Sequence, residues 1–416
     1  MDTSSSAIEP AKTVWSRDYE WRAVSLLAVG FGLVGLDRFI INPLFPVIAE
    51  DLNLDYQDLG LISGILALTW GLSSVFAGNL SDRIGLKRVL VISVIAFSAL
   101  VGFSGLATGL VSLLIIRALM GFAEGGFVPA SIVATIDASK PTRKGLNIGL
   151  QQMAAPLVGL GFGPLIAIAL LGILPSWHYV FGVIAIPGFI VAYLLRRTIR
   201  EPSKAAIDAN KAPPVSFKAP LQIRNVVFGI LGMFCFLTCL HTLSTFMPSY
   251  LVDYRNVPLT QMGFVLAVTG LGGFVGMVLI PSLSDRYGRR RVMLLAMGIE
   301  LVAFVLLLAF ARGPLTYAAL LFIISLLNSG VVATTVGPFL NESVPAVMAA
   351  TAVGLVSGFG EIVGGAFAPA LSGAAAQAYG IHIIPWIGFV AAFLGTAIVA
   401  FGFREPALGV NRKGAM

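Results

Sequence analysis

Six ionisable side chains stand inside long apolar runs of this chain: Asp37, Arg38, Arg117, Glu124, Glu300 and Glu361. A charge held in an apolar helix costs about 2.5–3.5 kcal/mol at the centre of a membrane span unless it is paired or meets water, so each position is a candidate for chemistry that an apolar residue cannot do. A guanidinium grips a carboxylate bidentately, and a carboxyl group takes up and releases a proton. Arg117 and Glu124 are seven residues apart, which puts them on one helix face about 10.5 Å apart along the axis. Asp37 and Arg38 are adjacent and point about 100° apart, so they cannot both face one partner, although both can lie on one half of the helix. Together the four sum to zero charge and can neutralise one another. One reading makes them structural ion pairs that fix two helices. Buried pairs are weak stabilisers compared with hydrophobic packing, which favours the other reading: arginines for an anionic substrate, acids for a coupling proton.

Other residues could line the same space. Gln151 and Gln152 offer amides suited to hydroxyls or a carboxylate, one of the two facing inward. His241 is a candidate from the second half of the chain, with a packed or water-bonded histidine as the alternative. Trp70, Phe39, Phe122 and Phe127 are candidates for an apolar wall. Glu361 sits among Gly358, Gly360, Gly364 and Gly365, where small residues let helices approach closely. It is a candidate second acid for proton coupling. Glu300 is expected to make a local polar bond. Cys235 and Cys239, the two cysteines, share one helix face with no further ligand and are expected to pack as ordinary apolar residues.

These residues need elements long enough to carry them. Of the 416 residues 57% are hydrophobic and 11% charged, far from the quarter of charged residues usual in a water-soluble domain. Runs of about 20 apolar residues recur near 23–49, 59–80, 88–110, 112–136, 145–173, 178–195, 225–251, 261–282, 290–311, 315–340, 346–375 and 382–403. The first is too long for a signal-peptide core and is read as a span. Placing the N-terminus in the cytoplasm puts every Lys and Arg on cytoplasmic segments except Arg38, Arg117, Arg255 and Arg312. That asymmetry is what the positive-inside rule expects, and an odd helix count in either half would destroy it. The expected layout is a cytoplasmic tail at 1–22, six helices over 23–196, a cytoplasmic loop at 197–223, six helices over 224–403 and a cytoplasmic tail at 404–416. The net charge of +7 is scattered between apolar runs rather than gathered on a face, which excludes a nucleic-acid partner. No Walker-type loop, metal cluster or nucleophilic serine motif occurs, so the reading is a non-enzyme without cofactor, driven by a gradient.

The two halves repeat each other. Gly78-Asn-Leu-Ser-Asp82-Arg83-Ile-Gly85-Leu-Lys87-Arg88 recurs as Pro281-Ser-Leu-Ser-Asp285-Arg286-Tyr-Gly288-Arg289-Arg290, at an offset of 203. Gly149, Gly159 and Pro164 recur as Gly354, Gly364 and Pro369, and Arg200-Glu201-Pro202 recurs as Arg404-Glu405-Pro406. The loop pattern resembles the signature of the major facilitator superfamily, with Leu86 and Pro281 as departures that leave the Asp-Arg pairs intact. The resemblance implies an all-α membrane fold of twelve transmembrane helices in two pseudo-symmetric domains around a central cavity. It implies too that Asp82, Arg83, Asp285 and Arg286 serve a cytoplasmic gate. Asp37-Arg38 with Arg117-Ala-Leu-Met-Gly-Phe-Ala-Glu124-Gly is similar to the anion:cation symporter branch, which moves organic anions such as sugar acids with protons. That similarity implies substrate contacts at Arg38 and Arg117 and proton coupling at Asp37 and Glu124. The expectation is a monomeric proton-coupled symporter of an organic carboxylate in a bacterial inner membrane, surrounded by lipid. The alternative is a drug/proton antiporter, because Gly159-x-x-x-Gly163-Pro164 partly matches that group's motif, though Ala167 and Ile168 stand where it has glycines.

Overall fold

A computed structural model describes residues 16–201 and 218–406, with the side chains at 75–83, 346 and 350 outside the described set. Eleven stretches among the described residues are long and apolar enough to cross a membrane: α1 (Arg17–Leu52), α3 (Leu86–Ser104), α4 (Leu110–Ala138), α5 (Pro141–Ile173), α6 (Trp177–Thr198), α7 (Arg224–Tyr254), α8 (Leu259–Tyr287), α9 (Arg289–Phe310), α10 (Pro314–Ser343), α11 (Val347–Tyr379) and α12 (Ile381–Phe401). The twelfth, α2 (Tyr56–Ile84), is a helix of 29 residues that includes positions 75–83. The fold is all-α. Two boundaries depart most from the hydropathy reading, each by six residues. α1 begins at Arg17, inside the expected tail, because Glu20 is buried there: Arg143 Nη2 donates to it at 2.6 Å and Asn147 Nδ2 at 2.8 Å. α3 stops at Ser104 rather than near 110, where Gly105 and Gly109 interrupt the apolar run and Ser112 Oγ takes the Thr108 N–H at 3.1 Å.

The repeated motifs meet in space. Gly85 and Gly288, at φ +98° and +96°, turn the chain sharply before α3 and α9, a left-handed conformation that a side chain would strain. The exposed N–H groups that begin those helices are then capped from the far end of each half. The Glu201 carboxylate accepts from Leu86 N at 2.5 Å and Lys87 N at 3.1 Å. The Glu405 carboxylate accepts from Arg289 N at 2.6 Å and Arg290 N at 2.9 Å. A carboxylate at a helix N-terminus satisfies orphan donors and opposes the helix dipole. This is why two motifs far apart in sequence keep one offset.

Across the two halves, α2 crosses α11 and α5 crosses α8 at glycines. A Cβ at Gly60 would run into the Pro369 carbonyl, and one at Gly270 into the Leu160 carbonyl. Tyr56 Oη donates to Asp253 Oδ2 at 3.0 Å, Tyr56 N to Gln377 Oε1 at 3.4 Å, and Asn42 Nδ2 to the Ser244 carbonyl at 3.0 Å. These bonds lie from mid-bundle to the face opposite Ser16 and Pro406. That face is where the two halves are drawn together.

Candidate functional site

The centre of the bundle is built where helices lose regularity. α1 breaks at Ile40, three residues before Pro43, a residue that cannot donate to the preceding turn. Beside the break, Arg117 Nη1 donates to the Asp37 backbone carbonyl at 2.9 Å. π-helical turns interrupt α5 at Leu157–Phe162 and α11 at Glu361–Phe367, equivalent positions of the two halves. Such turns widen the helix and re-aim side chains, and they recur at functional sites. Glu361 is the first residue of one of them.

Arg38 reaches across the bundle. Its guanidinium pairs with Glu361 Oε1, and the other carboxylate oxygen lies 3.5 Å from His241 Nε2. The arginine is bracketed by aromatic faces, with Cζ 5.6 Å from the Phe39 ring centre and 5.7 Å from that of Trp70. Phe39 in turn stacks on His241 at 6.3 Å. The partner of Arg38 is therefore an acid of the second half, not the α4 acid that mutual neutralisation of α1 and α4 would require. The reason is geometric: Asp37 and Arg38 diverge around α1, and only Arg38 faces α7 and α11.

Asp37, Arg117 and Glu124 are buried between α1 and α4. Both Glu124 oxygens, and Nε and Nη2 of Arg117, have no hydrogen-bond partner among the described residues. A cavity lined by Arg38, Phe39, Asn42, Ser63, Arg117, His241 and Thr245 brings both arginines to one space. Of the two glutamines, Gln151 is spent inside the first half: its Oε1 accepts from Thr135 at 2.6 Å and its Nε2 donates to Ser131 at 2.6 Å. Gln152 is half-buried, and its Oε1 has no partner among the described residues. Phe127 packs edge-on to Phe97 and serves the core of the first half. Phe122 is half exposed. Glu300 accepts from Asn328 Nδ2 at 3.2 Å and from Cys239 Sγ at 3.7 Å, a local polar bond as expected.

The side chains of Asp82 and Arg83 lie outside the described residues. In the second copy of the loop, Asp285 pairs with Arg289 at 2.5 Å, and Arg286 lies over the Tyr287 ring. Arg289 is the hub there: it also holds Glu342 at 2.6 Å and Ser284 Oγ at 2.7 Å. Sequence reasoning passed over Arg289, Glu342, Glu201 and Glu405 as site residues. The signal for two of them was present, since the Arg-Glu-Pro repeat keeps the offset of the loop it caps.

The family model of the Major Facilitator Superfamily matches residues 27–365 and 256–415. This chain belongs to that superfamily. It is thus a multi-pass membrane transporter and not an enzyme. Among curated relatives, a hexuronate transporter of Bacillus subtilis is 30% identical over 60% of this chain, and the match spans 61% of that relative's length. A probable 4-methylmuconolactone transporter of Cupriavidus pinatubonensis is 27% identical over 80% of this chain and 79% of its own. Among solved structures, a bacterial homologue of the human lysosomal transporter Spinster, in an inward-facing and unoccupied conformation, superposes with a TM-score of 0.73 at 18% identity, covering 93% of this chain and 95% of that one. That likeness is one of fold.

Proposed function

We propose that this transporter is a proton-coupled symporter of a small organic carboxylate, working by alternating access between two six-helix halves. The observation that carries the reading is Arg38, which shares a cavity with Arg117 and already holds a carboxylate, that of Glu361. In this scheme the substrate carboxylate replaces Glu361 on Arg38, with Arg117 adding a second positive charge to the same space. The displaced Glu361 takes a proton or turns to His241, so loading the anion and loading the proton are linked. Glu124 and Asp37, buried beside Arg117, carry protons within the first half. Trp70 and Phe39 fix the guanidinium plane, and Gln152 supplies an amide to the substrate. The transport relatives, among them one for hexuronate, fit an anionic substrate.

The chain ends belong in the cytoplasm of a bacterial inner membrane on the distribution of basic residues. The closed face described above is then the external one, and Asp82, Arg83, Asp285 and Arg286 belong to the gate on the cytoplasmic side. The test is uptake into proteoliposomes under an imposed pH gradient, inside alkaline, with a panel of radiolabelled carboxylates. Accumulation of at least one acid that collapses with a protonophore is the expected result. Failure to accumulate any acid, together with proton-driven export of a cationic drug, would replace the symport reading with the antiport one.

A further inference from the structure

One buried carboxyl has no part in the coupling of Glu361, Glu124 and Asp37. Glu300, midway along α9, is fully buried. Its Oε1 accepts from Asn328 Nδ2 of α10 at 3.2 Å and from Cys239 Sγ of α7 at 3.7 Å. Among the described residues no Lys, Arg or His pairs with it. α8 and α12, which also pack closely on α9, carry charge or histidine only in an end turn: Asp285 and Arg286 in the last turn of α8, His382 in the first of α12. Two acceptors are left open and buried, Glu300 Oε2 and Asn328 Oδ1, neither with a partner among the described residues. A carboxylic acid and a primary amide are complementary, because the amide N–H serves one carboxyl oxygen while the acid O–H serves the amide oxygen. The first of those bonds is present. The second needs a proton on Glu300 Oε2, whereas an ionised Glu300 would be a buried charge with no cation beside it, which is costly.

The internal repeat gives this pair a counterpart. α4 and α10 begin at Leu110 and Pro314, an offset of 204, and at that offset Asn328 stands where the first half has Glu124. The loop before α9 keeps an offset of 203, which sets Glu300 against Phe97, a residue packed edge-on to Phe127. An apolar side chain fills that place in the first half, so packing there does not call for an acid. In the second half the acid stands on the neighbouring helix and meets the Glu124 position through an amide. Cys239 and Asn328 also line the central cavity that shares Phe39 and Asn42 with the Arg38 cavity. We propose that Glu300 is a second proton-binding site of the transport cycle, holding a proton in the conformation of this structure and reaching the central cavity through Asn328. The inference rests on the proton-coupled reading above and adds a proton to it in the second half. Oε2 gives its proton to water that enters the cavity when the cytoplasmic side opens, and takes one back when the external side opens.

The test uses the full-length protein in lipid. Infrared difference spectra of the unmodified protein and Glu300→Gln at neutral pH should show a protonated-carboxyl C=O band that the variant lacks, and Asn328→Ala should move that band to higher frequency. Absence of the band, or a band that Asn328→Ala leaves in place, overturns the proposal. The ratio of protons to substrate is read in proteoliposomes from the pH gradient at which net flux of the acid found by uptake reverses. Glutamine supplies permanently the donor that the proton supplies, so Glu300→Gln should lower that ratio by about one. Glu300→Met serves in both measurements if Glu300→Gln does not fold. Proton-driven accumulation with an unchanged ratio in the folded variant leaves the proton-coupled reading standing and overturns the inference, making Glu300 a structural acid. Accumulation by the unmodified protein that ignores the pH gradient overturns both.

Discussion

Replacing Glu361 by glutamine separates the two roles that its position gives it. Glutamine keeps the length and one acceptor oxygen but removes the negative charge that holds Arg38 and faces His241. A hydrogen bond to a charged group contributes about 1.5–3 kcal/mol. The Arg38 and Glu361 side chains are 16% and 13% exposed, so some screening applies and the lower part of that range, about 1.5–2 kcal/mol, is the relevant figure. If a substrate carboxylate must displace Glu361 from Arg38, removing the competitor returns that energy to binding. At about 1.4 kcal/mol per decade, the substrate Kd should fall by about 10- to 30-fold. The assay is isothermal titration of Glu361→Gln and the unmodified protein with the acid identified by uptake, alongside proton-driven accumulation in proteoliposomes. Tighter binding with reduced accumulation is the expected pair of results. Unchanged or weaker affinity in a folded Glu361→Gln protein would refute the argument that the internal carboxylate and the substrate share Arg38.

Arg117→Lys should weaken substrate binding by more than an order of magnitude, because an ammonium cannot keep the bond to the Asp37 carbonyl and also present a planar fork to a carboxylate; equilibrium binding checks this. Glu124→Gln should bind substrate and exchange it across the membrane while losing accumulation driven by a pH gradient, and full accumulation in the folded variant would take Glu124 out of the coupling scheme. Glu405→Ala strips the acceptor from the first two N–H groups of α9 and should cost about 1–2 kcal/mol, read as a lowered Tm, with Glu201→Ala giving a similar loss at α3. If Tm is unchanged in both, those carboxylates do not cap the helices in solution.

By itself the sequence determined the membrane class, the positions of the helices to within about two turns, and the twofold repeat. These follow from solvent: a lipid interior demands about 20 apolar residues per crossing, and that demand is written locally in every span. The charged residues were legible for the same reason, since Asp37, Arg38, Arg117, Glu124 and Glu361 are conspicuous where charge is costly. Their partners were not. Adjacency suggested that Arg38 belongs with the acids of α1 and α4, yet the structure hands it to Glu361, 323 residues away, because partnership depends on which helix faces meet. Gln151 and Gln152 are equivalent as letters, but a 100° step around α5 commits the first to Ser131 and Thr135 and leaves the second with an open oxygen. The Arg-Glu-Pro repeat was visible as a pattern without a cause. Only tertiary structure decided that its glutamates close the ends of α3 and α9, since a cap joins groups that share no local periodicity and meet solely through the packing of the bundle.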